Sequence, residues 1–262
     1  LADGASASDP LNLRNLSHDT ARRMRRAGVT ELVLKELRMQ LHMFEDFQQK
    51  RQLAAVQKMQ ADRAKLPVMA FADPIVHALR SKQVLVLAGA TGCGKSTQLP
   101  QLLLRAGYSS IVCTQPRRLA AVSLARRVSV ETQGEFGDGI GYQVRFEARR
   151  SGETRALFVT EGVLLRQLAG DPTLRQYDVI VLDEVHERHV DTDMLLGLLR
   201  GVLRARPELR LVVMSATIDL GLFSQFFDDA PAISVPGRLF AVDVVHVSPD
   251  ADPEPRRSAQ AA

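Results

Sequence analysis

The sequence predicts an α/β fold of three layers, in which a mostly parallel sheet is covered by helices on both faces. Three observations carry this expectation. From about residue 67, short apolar runs alternate with stretches of helical length, the order that builds parallel sheets. Runs such as Val179-Ile-Val-Leu182 are apolar at every position, as strands buried on both faces must be. The first run, starting at Val84, ends in a glycine-rich turn that opens directly into a helical stretch.

Residues 1–20 are rich in Ala, Ser, Asp and Asn and are expected to lack fixed structure. Leu34, Leu37, Leu41, Phe44, Leu53 and Met59 recur at roughly helical spacing, which predicts a long helix, or two, ending at Pro67. Strands are predicted at 84–88, 110–114, 140–144, 155–159, 178–182, 210–214 and 232–235, and helices at 95–106, 118–132, 161–169, 191–204 and 220–227. The domain reading is an N-terminal extension over 1–66, an α/β domain over 67–248 and a linker or tail over 249–262, where Pro249-Asp-Ala-Asp-Pro-Glu-Pro breaks any regular element. The chain begins at Leu1 rather than Met, which suggests a processed protein or a piece of a longer one.

Charge is unevenly placed. Residues 1–66 hold 12 Lys and Arg against 8 Asp and Glu, while the rest holds 22 against 22. The surplus of four is compatible with nucleic acid and equally with a solvated face. The two cysteines, Cys93 and Cys113, have no metal-like spacing, and a reducing intracellular compartment, nucleus or cytoplasm, is the expectation. No run approaches the ~20 apolar residues of a membrane span, so no membrane partner is expected.

Gly89-Ala-Thr-Gly-Cys-Gly-Lys-Ser-Thr97 has the G-x-x-x-x-G-K-S spacing of a phosphate-binding loop. Gly89, Gly92 and Gly94 let the backbone turn with positive φ and approach a polyphosphate. The loop N–H groups of Ala90, Thr91, Cys93 and their neighbours, with those of the following helix, form an anion-binding concavity. Lys95 is expected to reach the β and γ phosphates, and the Ser96 hydroxyl to sit on Mg²⁺. A second motif, Asp178-Val-Ile-Val-Leu-Asp-Glu-Val-His186, is an apolar strand ending in two carboxylates. An acid at a strand tip beside the loop holds Mg²⁺, a role that suits Asp183. Glu184 is then free to orient and deprotonate the attacking water, and His186 completes the candidate catalytic set. His186 and His189 stand three apart just after a strand, not four apart on a helix as zinc-protease ligands do, so zinc is rejected.

With these motifs the sequence resembles the DEAH-box RNA helicases, Asp183-Glu-Val-His186 being the DEVH form of their second motif. Gly89–Thr97 resembles motif I, Thr114-Gln-Pro-Arg-Arg118 motif Ia, Gly141-Tyr-Gln-Val-Arg-Phe-Glu147 the hook-turn segment and Thr160-Glu-Gly-Val-Leu-Leu165 motif Ib. Ser215-Ala-Thr217 resembles motif III, and Val235-Pro-Gly-Arg238 the lobe-closing segment. The resemblance covers about residues 63–247, and it is greatest to the branch associated with nonsense-mediated mRNA decay. It implies a P-loop, RecA-like lobe that uses ATP, or NTPs broadly, with Mg²⁺. It implies that Arg117, Arg118 and Thr160 contact a single-stranded RNA backbone and that Arg145 and Phe146 guide the strand. Arg127 would stack on the nucleotide base, and Ser215 and Thr217 would couple phosphate state to lobe movement. Two positions depart from the family pattern: Ala90 replaces a usual acid, and Glu161 a usual Asp.

The resemblance also implies a second RecA-like lobe carrying arginine fingers, which no part of these 262 residues matches. The expectation is therefore a motor lobe that hydrolyses nucleotide poorly by itself. The N-terminal extension is the candidate dock for ribonucleoprotein or mRNA-decay partners. Alternative readings are a nucleotide-switched interaction module and a DNA-directed ATPase.

Overall fold

The computed structural model describes residues 31–132, 139–216 and 220–237. The chain divides into two units, Leu1–Lys65 and Leu66–Ala262. The described part of the first is one helix, α1 (Glu31–Ala64). It ends three residues before the predicted stop, and Pro67 instead opens a short 3₁₀ turn, Pro67–Phe71, the first-turn position that proline tolerates. No described side chain of α1 is buried.

The second unit runs α2 (Ala72–Ser81), β1 (Val84–Gly89), α3 (Lys95–Arg105), β2 (Ile111–Gln115), α4 (Arg118–Thr132), β3 (Ile140–Val144), β4 (Glu147–Arg149), β5 (Ala156–Thr160), α5 (Glu161–Gly170), β6 (Val179–Leu182), α6 (Val190–Ala205), β7 (Arg210–Ser215), α7 (Leu220–Phe226) and β8 (Ala232–Val235). All seven predicted strands are present within one residue at each end. Two elements were not predicted, α2 and β4. The eight strands lie in the order β4-β3-β5-β2-β6-β7-β1-β8. Every neighbouring pair is parallel except β3 with β4.

Successive side chains of a strand point to opposite faces, and here both faces are covered. Val84 and Val86 of β1, with Ile180 and Leu182 of β6, enter one core with Leu164 of α5, Leu195 and Leu199 of α6 and Phe223 of α7. Leu85 and Leu87, with Val179 and Val181, enter the other with Ile75 of α2, Leu99 and Leu103 of α3 and Ala121 and Val128 of α4. This is the three-layer α/β architecture predicted, a RecA-like lobe. It sets the carboxyl ends of the parallel strands along one edge, where ligands of open α/β sheets bind. Gly89, Gln115, Thr160, Leu182 and Ser215 are the terminal residues of β1, β2, β5, β6 and β7.

Candidate active site

The turn after β1 is built by glycine. Gly92 and Gly94 hold φ of +82° and +94°, a region that costs a side-chain-bearing residue about 1 kcal/mol or more. A Cβ on Gly94 would also lie 2.9 Å from Leu66 Cδ1. The 66–68 segment supports the loop from behind, with the Val68 N–H donating to Cys93 O at 3.1 Å. Lys95 is buried. Its ammonium donates to Gly89 O and Ala90 O, and lies 3.7 Å from Cys93 Sγ. The Thr97 hydroxyl bonds back to Gly94 O. Ala90, where the family pattern has an acid, packs under Gly237 so tightly that a Cβ there would collide with its own.

The acid strand β6 is not the immediate neighbour of β1: β7 lies between them. At ~4.8 Å per strand the two tips stand roughly 10 Å apart, with buried Ser215 at the tip between. Side chains close the gap. Ser96 donates its hydroxyl to the Asp183 carboxylate. Gln115 Nε2 donates to Asp183 Oδ2 at 2.5 Å, and the Glu184 N–H to Oδ1 at 2.9 Å. Gln115 lies within the Thr114–Arg118 motif, and the structure makes it the clamp on the acid. Burial pushes the Asp183 carboxyl above its ordinary value, against these three hydrogen bonds and the Lys95 charge. Two hard oxygen donors thus meet beside a buried ammonium, a donor set that fits Mg²⁺.

Glu184 occupies the left-handed region at φ +55°, and Arg188 at +52°, on either side of a 3₁₀ turn, Val185–Glu187. That conformation turns the Glu184 side chain away from the strand. Burial and the neighbouring Asp183 charge raise its carboxyl, while His186 and Lys95 oppose the rise. A raised carboxylate is the better proton acceptor. His186 Nδ1 lies between the Ala216 N–H at 3.3 Å and Glu184 Oε2 at 3.4 Å. The imidazole therefore joins the second motif to the third. Thr217 and Arg238 lie outside the described residues, as does the 249–262 tail.

Of the remaining candidates, all but Arg127 border the same edge among the described residues. Arg118 is the first residue of α4 and exposed, and Arg117 just before it pairs with Glu187 at 3.1 Å. Two cations at the positive end of a helix dipole are unfavourable unless an anion joins them. Thr160 ends β5 in register with Gln115. In the β3–β4 turn the Arg145 guanidinium lies 4.8 Å over the Phe146 ring. Phe146 holds φ +67° and is 90% exposed, a strained position for an aromatic residue with no burial to compensate it. Glu161 anchors α5 to α6 through the Thr192 hydroxyl and His189, and His189 also faces Glu187 at 3.4 Å. That cross-helix anchor gave no sequence signal, since its members are some 30 residues apart. Arg127 is not at the strand ends but on α4, bonded to Glu131.

One family model, described as DEAD/DEAH box helicase, matches residues 72–222. The chain belongs to the DEAD/DEAH box helicase family. It is 47% identical over 256 residues to the probable ATP-dependent RNA helicase DHX34 of Mus musculus, covering 96% of this chain and 22% of that protein. It is 48% identical over 223 residues to the Homo sapiens protein of the same description, 85% of this chain and 20% of the relative. To the DExH-box ATP-dependent RNA helicase DExH1 of Arabidopsis thaliana it is 45% identical over 195 residues, 72% of this chain and 20% of the relative. The chain thus spans about a fifth of the length of these relatives. Helicases of this family use ATP or related NTPs and act on nucleic acid. No helix of the described residues is long and apolar enough to cross a membrane.

Proposed function

We propose that this chain is the first, ATP-binding motor lobe of an ATP-dependent RNA helicase, in which nucleotide hydrolysis drives movement along single-stranded RNA. The observation that carries the reading is the meeting of Lys95, Ser96, Asp183 and Glu184 at strand ends that also present Arg117, Arg118 and Thr160. The loop N–H groups and Lys95 bind the polyphosphate. Ser96 and Asp183 would hold Mg²⁺, which neutralises phosphate charge when bound. Glu184 takes the proton of the attacking water, held in place by its left-handed backbone and by His186. Arg117, Arg118 and Thr160 bind RNA phosphates, and the Arg145–Phe146 turn guides the strand. Ser215 and Thr217 transmit phosphate loss to the second RecA-like lobe of the longer protein.

We assign α1 and the basic N-terminal segment to docking in a ribonucleoprotein of mRNA decay or processing, in the nucleus or cytoplasm. The test compares ATP hydrolysis by the longer protein with single-stranded RNA and with DNA of the same sequence. RNA is expected to stimulate strongly and DNA weakly. Equal stimulation would favour a DNA-directed enzyme, and no stimulation by either would favour a nucleotide-switched module.

A further inference from the structure

A cavity of about 480 Å³, the size of a small-ligand site, opens between α4 and the β3–β4 hairpin. The strand register explains its position. Ile140 and Tyr142 are two apart on β3, and Arg149 of β4 faces Tyr142 across the ladder, so the three side chains share one face. That is the face α4 covers, where Tyr142 joins the core of Ala121, Ala125 and Val128. Past Ala125 the helix surface at Arg126, Ser129 and Val130 lines the cavity without closing it. β3 stands five places from β1 in the sheet, roughly 24 Å away at one strand spacing per place. Ile140 opens β3 and Arg149 ends the antiparallel β4. The cavity therefore lies at the amino ends of the parallel strands, opposite the edge that carries the phosphate loop.

Its walls are basic. Arg126, Arg149 and Arg150 all line it, and among the described residues none of the three has a carboxylate within ion-pair distance. Arg126 bonds the Tyr142 hydroxyl, which itself donates to Glu147 Oε1 at 2.6 Å. The phenol thereby fixes Arg126 and engages the nearby acid. Ser151 Oγ accepts the Glu153 N–H at 3.2 Å, which leaves its hydrogen to donate. Ser129 adds a second exposed hydroxyl. The rest of the lining is apolar, and Val130 is 61% exposed there. Like charges around one concavity repel, and an anion relieves that repulsion. Guanidinium forks match phosphate oxygens in pairs. An exposed apolar side chain beside them suits a ligand with a hydrocarbon body, not a bare inorganic ion.

We propose that the cavity between α4 and the β3–β4 hairpin binds a phosphate monoester with an apolar body, its phosphate held by Arg126, Arg149 and Arg150 and its body lying on Val130 and Ile140. Two sources carry this chemistry, a free small ester and a phosphotyrosine side chain of a partner. The site is independent of the nucleotide reading, because none of its residues belongs to the phosphate loop or to the carboxyl ends of the strands.

The test titrates phenyl phosphate, with phenol as the control, into this chain without Mg²⁺ and follows the ester by ³¹P NMR. Saturable binding is expected for phenyl phosphate and none for phenol. Arg126→Ala and Arg149→Ala should each weaken the ester at least about tenfold, and Arg149→Lys, which keeps the charge but not the fork, should weaken it less. Lys95→Ala, in the distant loop, should leave it within about twofold. Val130→Glu guards against a folding failure. It changes an exposed helical position, should melt near the wild-type temperature, and should still weaken the ester about fivefold by setting a carboxylate in the mouth. A pentapeptide with phosphotyrosine between alanines separates the sources. Tighter binding than phenyl phosphate assigns a protein partner, equal or weaker binding a free ester, and either result supports the site. The proposal is overturned if phenyl phosphate does not bind, or if Arg126→Ala and Arg149→Ala bind it as the wild type does. Loss of binding in Lys95→Ala would place the ester in the phosphate loop and overturn it too. So would displacement of the ester by a short single-stranded RNA without terminal phosphates, which would make the cavity part of the RNA track.

Discussion

At Gly94 two independent constraints fall on one residue, a φ of +94° and a space already filled by Leu66 and Val68. Gly94→Ala is therefore expected to cost about 1–3 kcal/mol of stability and to abolish ATP binding. A thermal melt with an ATP titration checks both, and a wild-type melt would contradict the conformational argument. Glu184 and Phe146 carry the opposite sign of the same physics, since each holds a left-handed conformation without being glycine. Strain of this kind persists only where surrounding structure imposes it. Among the described residues Leu174, Arg188, Asp228 and Asp229 share this conformation, so it is the coincidence with the second motif and the β3–β4 turn, and not strain alone, that bears on function. Gln115→Ala makes a sharper point about Asp183. It would leave a buried carboxylate oxygen short of a donor, at a cost of about 1–3 kcal/mol, and should weaken Mg²⁺-dependent ATP binding more than Mg²⁺-free binding.

Element α4 carries a conflict at each end, and each end yields a prediction. At its start, Arg118 opposes the helix dipole. Arg118→Ala is expected to raise stability by a few tenths of a kcal/mol while weakening RNA binding, which melting and an RNA filter-binding series would show together. A loss of both would contradict the dipole argument. At its end, burial pushes the Glu131 carboxyl up, but bonds from Gln98, Arg127 and Gln101 outweigh burial and hold it below the ordinary 4.5. Its unfolded value is the higher one, so its stabilisation is whole above about pH 4.5 and fades as pH falls through the folded value. Between about pH 5 and 3 the wild type should lose stability more steeply than Glu131→Gln, as parallel melts would reveal. The elements differ in how openly the sequence announces them. Uniformly apolar runs such as Val179–Leu182 and Val84–Leu87 disclose a doubly covered sheet, because nothing polar could be tolerated there. Glu147–Arg149 is exposed throughout and so shows no alternation, which hides β4. For α2, Ile75 and Leu79 stand one helical turn apart and both are buried, a signal too short to separate from the preceding proline-bounded stretch.

Across the whole molecule, the sheet's parallel register brings residues nearly 130 positions apart to one edge. The phosphate loop and the acid pair were legible because each is a local string whose spacing is its chemistry. Gln115 on Asp183, Thr192 on Glu161, and Gln98 and Gln101 on Glu131 were not, because each contact is made only when distant segments pack. On the proposed reading this lobe works with a second one. With about a fifth of the relatives' length, the chain alone is expected to hydrolyse ATP at least about 10³-fold more slowly than the longer protein with RNA, the contribution arginine fingers make elsewhere. The central claim is that the strand-end site is a working ATPase centre with Glu184 as its base, and the most direct measurement is RNA-stimulated ATP hydrolysis by the longer protein carrying Glu184→Gln, with ATP affinity measured in parallel. The expected result is ATP affinity within about threefold of wild type and a turnover at least about 10²-fold lower; wild-type turnover in that variant would contradict the account.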